Sequence, residues 1–161
     1  MKNLIVIRHA KSSCDAPLND VDRPLDHRGI KDAHLVAAKS LAHLPKHFQV
    51  FSSFAKRASE TAMIFAQNFS YPLENIAFRE DLYTFDENKL EKVVRAFNNS
   101  YDNVILFGHN EAITNFVNKF GDVFIDNVAT SGFVSMQFET DSWQHIQNCK
   151  TLKVIFPKDL K

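Results

Sequence analysis

The residues best suited to chemistry are two arginines and two histidines that follow short apolar segments. Arg8 and His9 come directly after one apolar run, His109 and Asn110 follow another, and Arg57 stands one turn into the helical segment after a third. A guanidinium presents a fork of donors that matches phosphate oxygens, and an imidazole can act as nucleophile or donor. Together these residue types predict a pocket for a phosphoryl group.

Each of these residues also has an ordinary structural explanation. Arg8 and His9 could decorate a loop, His109 could be a core-facing imidazole after a tight turn, and Arg57 could be a solvated helix residue. Their joint occurrence favours a site, provided that the fold brings the segments together.

The elements that must position these residues follow from the apolar pattern. Asp26 is predicted to cap the first helix, and Ser52 or Ser53 the second. Apolar runs alternate with helical stretches, which predicts strands near 4–7, 48–51, 76–78 and 103–107 and helices near 26–42, 55–67, 90–97 and 111–120. The tail carries further strand patterns at 132–139, 143–147 and 151–156.

This order of elements predicts a single three-layer α/β domain over residues 1–161, with a mostly parallel central sheet, helices on both faces and an antiparallel edge. In such sheets ligands bind beyond the carboxyl ends of the strands. The topology therefore brings both histidines and both arginines to one edge, where helix N-termini add backbone donors and a favourable dipole.

The composition excludes several classes of partner. The chain has 19 basic and 19 acidic residues and a formal net charge of zero, which gives no support to a nucleic-acid binder or a basic membrane surface. No apolar run approaches the about 20 residues of a membrane span, or the about 7–15 of a secretory signal. We therefore expect a cytoplasmic protein without nucleic-acid or membrane partners, and free thiols at Cys14 and Cys149.

Other phosphatase chemistries fit the sequence less well. Cys14 is not followed by arginine six positions later, where Asp20 stands, so the cysteine-phosphatase loop is absent. The acidic segment at 20–22 lacks a preceding apolar strand, and no GxxxxGK[ST] loop occurs. His43 and His47 have metal-like spacing, but the proline between them would break the helix that makes it useful. The sequence predicts no metal and no cofactor.

Five segments carry a family resemblance: LIVIRHAKSS, DRPLDHRGIKDA, SSFAKRASETA, DLY and LFGHN, in this order between residues 4 and 110. The chain resembles the histidine phosphatase superfamily, with its phosphoglycerate mutase-like fold, and within it the SixA-type phosphohistidine phosphatases. The resemblance implies a phosphate pocket of Arg8, His9, Arg57 and His109, joined by Asn110 of the last motif. Ala10 replaces the commoner glycine.

The mechanism that the resemblance implies is a double displacement. Neutral His9 would attack phosphorus, and water would then hydrolyse the phosphohistidine, while the arginines and a protonated His109 stabilise the charge on the oxygens. Asp81 is the expected general acid, with Glu80 as its substitute. Imidazole can leave already protonated, so a phosphohistidine substrate depends less on such an acid.

Three readings of the function stay open. We expect the substrate to be a phosphohistidine-bearing protein, for example a histidine phosphotransfer domain, since only short segments join the motifs and no large lid is indicated. A small phosphorylated substrate is the main alternative. A phosphoprotein-binding module without catalysis is the other, although all four pocket residues are present.

Overall fold

The computed structural model describes residues 1–14 and 18–161. The described residues form a six-stranded sheet. Its strands in chain order are β1 (Lys2–Arg8), β2 (Gln49–Ser53), β3 (Ala77–Arg79), β4 (Asn103–Gly108), β5 (Phe133–Phe138) and β6 (Lys150–Ile155). The spatial order is β3-β2-β4-β1-β5-β6. The first four strands of this order run parallel, whereas β5 pairs antiparallel with β1 and β6 antiparallel with β5.

One helix follows each of the four parallel strands and lies against the sheet. These helices are α1 (His27–Ser40), α2 (Lys56–Phe69), α3 (Glu87–Arg95) and α4 (Ala112–Phe120). Short 3-10 turns occupy Asp20–Asp22, Leu41–His43, Leu73–Asn75, Glu80–Leu82, Trp143–His145 and Pro157–Leu160. No helix within the described ranges is both long and apolar enough to span a membrane.

The three layers follow from strands that are apolar on both faces. In β1, Leu4 and Val6 belong to the core beneath α3 and α4, whereas Ile5 and Ile7 belong to the core beneath α1 and α2. A parallel sheet covered by helices on both faces needs such continuous apolar strands. The predicted architecture, with its antiparallel edge, is confirmed.

The pairing register places the candidate residues at one edge. Arg8 at the end of β1 pairs with Gly108 at the end of β4, and Ser52 of β2 pairs with Phe107. Because these strands are parallel, the segments that follow them leave the sheet side by side. His9 follows β1 directly, and His109 follows β4 directly.

The start of α1 packs closely against the segment that follows β1. Asp26 caps the helix as predicted, accepting a hydrogen bond of 2.7 Å from the backbone N–H of Gly29. A Cβ atom at position 29 would lie 2.1 Å from the carbonyl oxygen of Lys11. A glycine is therefore needed where α1 approaches the chain that follows β1.

Two sequence expectations about local structure were wrong. Neither predicted serine caps α2, which has Ala55 at its N-cap without a side-chain hydrogen bond. Residues 143–147 do not form a strand: Trp143 lies in a 3-10 turn, is fully buried and donates from Nε1 to the carbonyl oxygen of Tyr101 at 2.8 Å. Packing of this indole in the core overrides the strand pattern.

Candidate active site

One ring nitrogen of His9 is hydrogen-bonded to the backbone, and the other faces an arginine. Its Nδ1 lies 2.7 Å from the carbonyl oxygen of Ala10, and its Nε2 lies 3.4 Å from Nε of Arg57. A carbonyl only accepts hydrogen bonds, so Nδ1 carries the proton and Nε2 carries the lone pair. The pKa of His9 is lowered to about 4, mainly by burial and also by the charges of Arg57 and Arg8, while the hydrogen bond to Ala10 opposes this effect. His9 is therefore a neutral imidazole near pH 7.

The backbone around His9 is fixed to two neighbouring elements. The N–H of His9 donates to the carbonyl oxygen of Gly108 at 3.0 Å. The N–H of Ala10 donates to Oγ1 of Thr61 at 2.9 Å, and that hydroxyl donates to the carbonyl oxygen of Arg57 at 2.7 Å. Thr61 thus joins the end of β1 to the first turns of α2, which sets the distance between His9 and Arg57.

His109 lies beside His9, with their ring centroids 5.2 Å apart. Its Nε2 is 2.8 Å from Oγ of Ser53, which also accepts from the N–H of Ala55. In the tautomer in which the serine hydroxyl donates to Nε2, Nδ1 carries the proton. Among the described residues this buried Nδ1 has no partner. It can donate to an oxygen of a bound anion.

Electrostatics keep His109 neutral until an anion is near. Its pKa is lowered to about 3, mainly by burial and then by the electrostatic effects of His9, once protonated, and of Arg57, whereas the carboxylate of Asp20 opposes this effect. A phosphate dianion beside the ring would favour the imidazolium. The predicted role of a protonated His109 therefore depends on the charge of the bound group.

The low pKa values of both histidines make stability depend on pH. Folded His9 and His109 have pKa values of about 4 and about 3, against roughly 6.5 in the unfolded chain. Between these values the unfolded chain binds more protons than the folded protein. The contribution of the two histidines to the free energy of unfolding is therefore fully present above a pH of about 6.5, and it is lost as the pH falls towards 4. At about 1.4 kcal/mol for each pH unit, His9 alone accounts for a loss of up to about 3 kcal/mol.

Urea unfolding of the wild type and of His9→Asn between neutral pH and pH of about 4 checks this. The variant should lose less stability over this interval than the wild type. His145→Asn is the control, because His145 is exposed. An equal decline in all three proteins would contradict the assignment of a neutral, buried His9.

The first arginine, Arg8, is half-buried with part of its guanidinium unsatisfied. Its Nη1 donates to the carbonyl oxygen of Val128 at 2.9 Å, while its buried Nε lacks a partner among the described residues. Burial lowers the pKa of Arg8, and the charge of Glu111 opposes that effect. The carboxylate of Glu111 therefore offsets part of the positive charge of Arg8.

The second arginine, Arg57, is 3% exposed and uses all three of its nitrogens. Nη2 donates to the carboxylate Oδ2 of Asp20 at 2.9 Å, Nη1 donates to the carbonyl oxygen of the same residue at 2.7 Å, and Nε faces His9. Tyr83 donates its hydroxyl to the same Oδ2 atom. The structure thus adds an acidic residue and a tyrosine to the predicted set.

Sequence reasoning missed Asp20 and gave Tyr83 no role. The tyrosine lies within the motif DLY, and its ring packs edge-on against His109 with centroids 5.3 Å apart. Asp20 begins the 3-10 turn Asp20–Asp22 between β1 and α1, where no periodic pattern singles it out. The segment DRPLDHRGIKDA, which carries part of the family resemblance, begins two residues later at Asp22 and was the sequence feature nearest to Asp20.

The residues expected to supply the acid are both exposed and belong to one short turn. Asp81 is exposed and accepts two hydrogen bonds from Arg79, Nε to Oδ1 at 2.8 Å and Nη2 to Oδ2 at 2.5 Å. Glu80 belongs to the same 3-10 turn. Within the described part of the chain, no hydrogen bond joins either carboxylate to His9 or His109. Their assignment as general acid stays a prediction.

Asn110 has both ends of its side chain engaged in local structure. Its Oδ1 accepts from the N–H of Thr114 at 3.0 Å and from its Oγ1 at 2.7 Å, and its Nδ2 donates to Oδ1 of Asn127 at 2.8 Å. The side chain therefore links the start of α4 to the segment before β5. Its predicted role in phosphate binding would need these bonds to change.

No group of three or more histidine, cysteine, aspartate or glutamate residues within the described ranges is arranged to hold a metal ion. Metal independence stays a prediction, which activity measured after exhaustive chelation would check. Cys14 and Cys149 are both free, the first exposed and the second buried.

The family model of the histidine phosphatase superfamily (branch 1) matches residues 4–113. The chain therefore belongs to this superfamily, and the resemblance of its motifs is confirmed. The matched segment includes Arg8, His9, Arg57 and His109, the four residues predicted to form the pocket. A comparison with curated proteins found no match.

Solved structures share the whole fold at low sequence identity. The protein histidine phosphatase SixA complexed with tungstate is 20% identical, with a TM-score of 0.82 over 99% of each chain. A SixA protein from Nakamurella multipartitia is 20% identical, with a TM-score of 0.80 over 97% of this chain and 96% of that one. A mycobacterial glucosyl-3-phosphoglycerate phosphatase is 12% identical, with a TM-score of 0.70 over 94% of this chain and 97% of that one.

Proposed function

We propose that this protein is a phosphatase that forms a phosphohistidine on His9 and acts on phosphohistidine carried by another protein. The observation that supports the first part is the state of His9. Its Nδ1 is tied to a carbonyl oxygen, so the lone pair of Nε2 is available beside Arg57. A neutral, oriented imidazole next to a guanidinium is suited to attack a bound phosphoryl group.

The proposed reaction has two in-line displacements at phosphorus. In the first, Nε2 of His9 forms a bond to phosphorus as the bond to the leaving group breaks. In the second, water forms the new bond to phosphorus and the bond to Nε2 breaks. Arg8, Arg57 and the Nδ1 donor of His109 would stabilise the charge spread over the phosphoryl oxygens.

Exposed aromatic side chains beside His109 support a protein substrate. Phe54 and Phe85 are 43% and 53% exposed. Phe85 packs against His109 and Tyr83, and Phe54 packs against Tyr83, with ring centroids 5.5, 5.7 and 5.6 Å apart respectively. Exposed aromatic rings next to a reactive group are typical of a surface that contacts another protein.

A small phosphoester is the second candidate substrate. It is favoured by the shared fold with a phosphatase named for glucosyl-3-phosphoglycerate. The alternative without catalysis, a phosphoprotein-binding module, predicts phosphate binding with no turnover of a generic aryl phosphate. Turnover of that compound would exclude the binding module.

The experiment that tests the substrate compares kcat/KM for a purified phosphohistidine protein with kcat/KM for phenyl phosphate. We expect the protein substrate to be preferred at least about tenfold, which corresponds to an activation free energy that is lower by roughly 1.4 kcal/mol. Phe54→Ala should lower that preference and leave phenyl phosphate hydrolysis nearly unchanged. The matched control is Phe78→Ala, an equally exposed ring on the edge strand β3. A preference for phenyl phosphate would favour the small-molecule alternative.

A further inference from the structure

We propose that Asp20, rather than Asp81, is the general acid and base of this site, and that Tyr83 orients its carboxyl group. The inference rests on the proposed function, because it assigns a role within the same reaction. It is carried by the contacts that join Asp20 to Arg57 and Tyr83 and so to both histidines.

The position of Asp20 is set by Arg57. The guanidinium donates to the carboxylate at 2.9 Å and to the backbone carbonyl of Asp20 at 2.7 Å, and its Nε lies 3.4 Å from Nε2 of His9. A single planar group therefore separates the carboxylate from the proposed nucleophile. A phosphoryl group attached to Nε2 and bound by Arg57 would lie within reach of Oδ2.

The second contact comes from Tyr83, whose hydroxyl donates to Oδ2 of Asp20. The tyrosine ring packs edge-on against His109. Because the ring is fixed against the second histidine, its hydroxyl directs the carboxyl group of Asp20 towards the same pocket. The titratable and charged groups that act on Asp20 or are acted on by it are Arg23, Arg57, Tyr83 and His109.

The charge of the bound phosphoryl group decides the protonation of Asp20. The hydrogen bond from Tyr83 and the charge of Arg57 lower the pKa of Asp20, so the carboxyl group is ionised near pH 7. A phosphoryl dianion on Arg57 places like charge beside the carboxylate and offsets the cation, and both effects raise the pKa. Binding of the substrate therefore favours uptake of a proton by Asp20.

The proton then has a defined course. As the bond from Nε2 of His9 to phosphorus forms and the bond to the leaving atom breaks, Asp20 gives its proton to that atom. In the second displacement the resulting carboxylate takes a proton from the attacking water. The carboxyl group is restored, and one water is consumed for each phosphate released.

The same contacts argue against Asp81. Both of its oxygens accept from Arg79, a residue outside the set that surrounds His9. The carboxylate that raises the pKa of His109 is Asp20. Of the two candidate acids, Asp20 is therefore the one whose charge changes the pKa of a pocket histidine.

The kinetic test uses two aryl phosphates with unequal leaving groups, 4-nitrophenyl phosphate and phenyl phosphate. Phenol is the poorer leaving group because its pKa is about 10. Asp20→Asn should lower kcat/KM for phenyl phosphate by about 10²–10⁴-fold, the usual contribution of general acid catalysis, and clearly less for the nitrophenyl ester. Tyr83→Phe, which keeps the ring, should lower kcat/KM by a smaller factor, again more for phenyl phosphate than for the nitrophenyl ester. Asp22→Asn is the matched control, an exposed carboxylate in the same turn.

Three kinetic outcomes would overturn the proposal. Unchanged activity of Asp20→Asn would remove Asp20 from the reaction. Equal losses on both esters would mean that it only positions Arg57. The graded loss appearing in Asp81→Asn instead would return the role to Asp81.

A binding test is independent of turnover and so separates this proposal from the proposed function. Sulfate is the probe, because it remains a dianion between about pH 5 and 8 and carries no proton of its own. Calorimetric titrations in buffers of different ionisation enthalpy give the number of protons taken up on binding. We expect the wild type and Asp22→Asn to take up more protons than Asp20→Asn, by as much as about one. Equal uptake in all three proteins would overturn the proposal, even if the wild type hydrolyses both esters.

Discussion

Replacing His9 with alanine is expected to abolish turnover of every phosphorylated substrate while the protein stays folded. The ring makes one side-chain hydrogen bond to Ala10 and faces Arg57, and the backbone of position 9 is held separately by Gly108. Removal of the imidazole therefore removes the proposed nucleophile without removing the anchor of the strand end. Losing a covalent nucleophile should lower kcat by at least about 10³-fold, and more if no water can take its place.

The measurement is a rapid-quench experiment with a ³²P-labelled substrate. The wild type should accumulate label that is stable in base and lost in acid, on a peptide that contains His9. His9→Ala should carry no label, and the exposed His145→Ala should behave as the wild type. Label on Cys14 or on an aspartate would refute the mechanism, whatever the activity of the variants.

The arrangement of strands and helices could be predicted because its cause is local. A strand such as β1 is apolar on both faces, and Leu4 and Ile5 enter different cores on opposite sides of the sheet. A continuous apolar run of this length predicts a buried parallel strand from the sequence alone. The segment at Trp143 also carries apolar residues and was predicted to be a strand, but its fully buried indole fixes a turn instead. Such a tertiary contact cannot be read from a local pattern.

The candidate site likewise contains residues that could be predicted from the sequence and a residue that could not. His9 and His109 could be predicted because each follows a parallel strand directly, and the register of β1 and β4 then places them side by side. Asp20 could not, because its position depends on Arg57 and Tyr83, residues 37 and 63 positions away in the chain. The motif DLY drew attention to its acidic residue, Asp81, whereas its tyrosine is the residue that contacts the pocket.

Arg57→Ala is expected to weaken binding of the phosphoryl group and to slow its transfer. The guanidinium is 3% exposed and directs its Nε at Nε2 of His9. A charge-assisted hydrogen bond contributes about 1.5–3 kcal/mol, so loss of the fork should lower kcat/KM by at least about tenfold and up to roughly a thousandfold. The fold should survive, because Thr61 bonds to the backbone carbonyl of residue 57 rather than to its side chain.

Arg57→Lys and Arg28→Ala complete the comparison. Lysine keeps the charge but lacks the planar fork. It cannot contact His9 together with the carboxylate and the backbone carbonyl of Asp20, so it should restore only part of the lost activity. Arg28→Ala removes a mostly exposed arginine that pairs with Asp32 on α1, and it should leave kcat/KM unchanged. The measurements are kcat/KM and the inhibition constant of inorganic phosphate for each variant, with thermal unfolding to check the fold. If Arg57→Ala is folded and retains full activity, Arg57 does not belong to the phosphoryl-binding site. If Arg57→Lys matches the wild type in both constants, the site needs a positive charge there but not a fork.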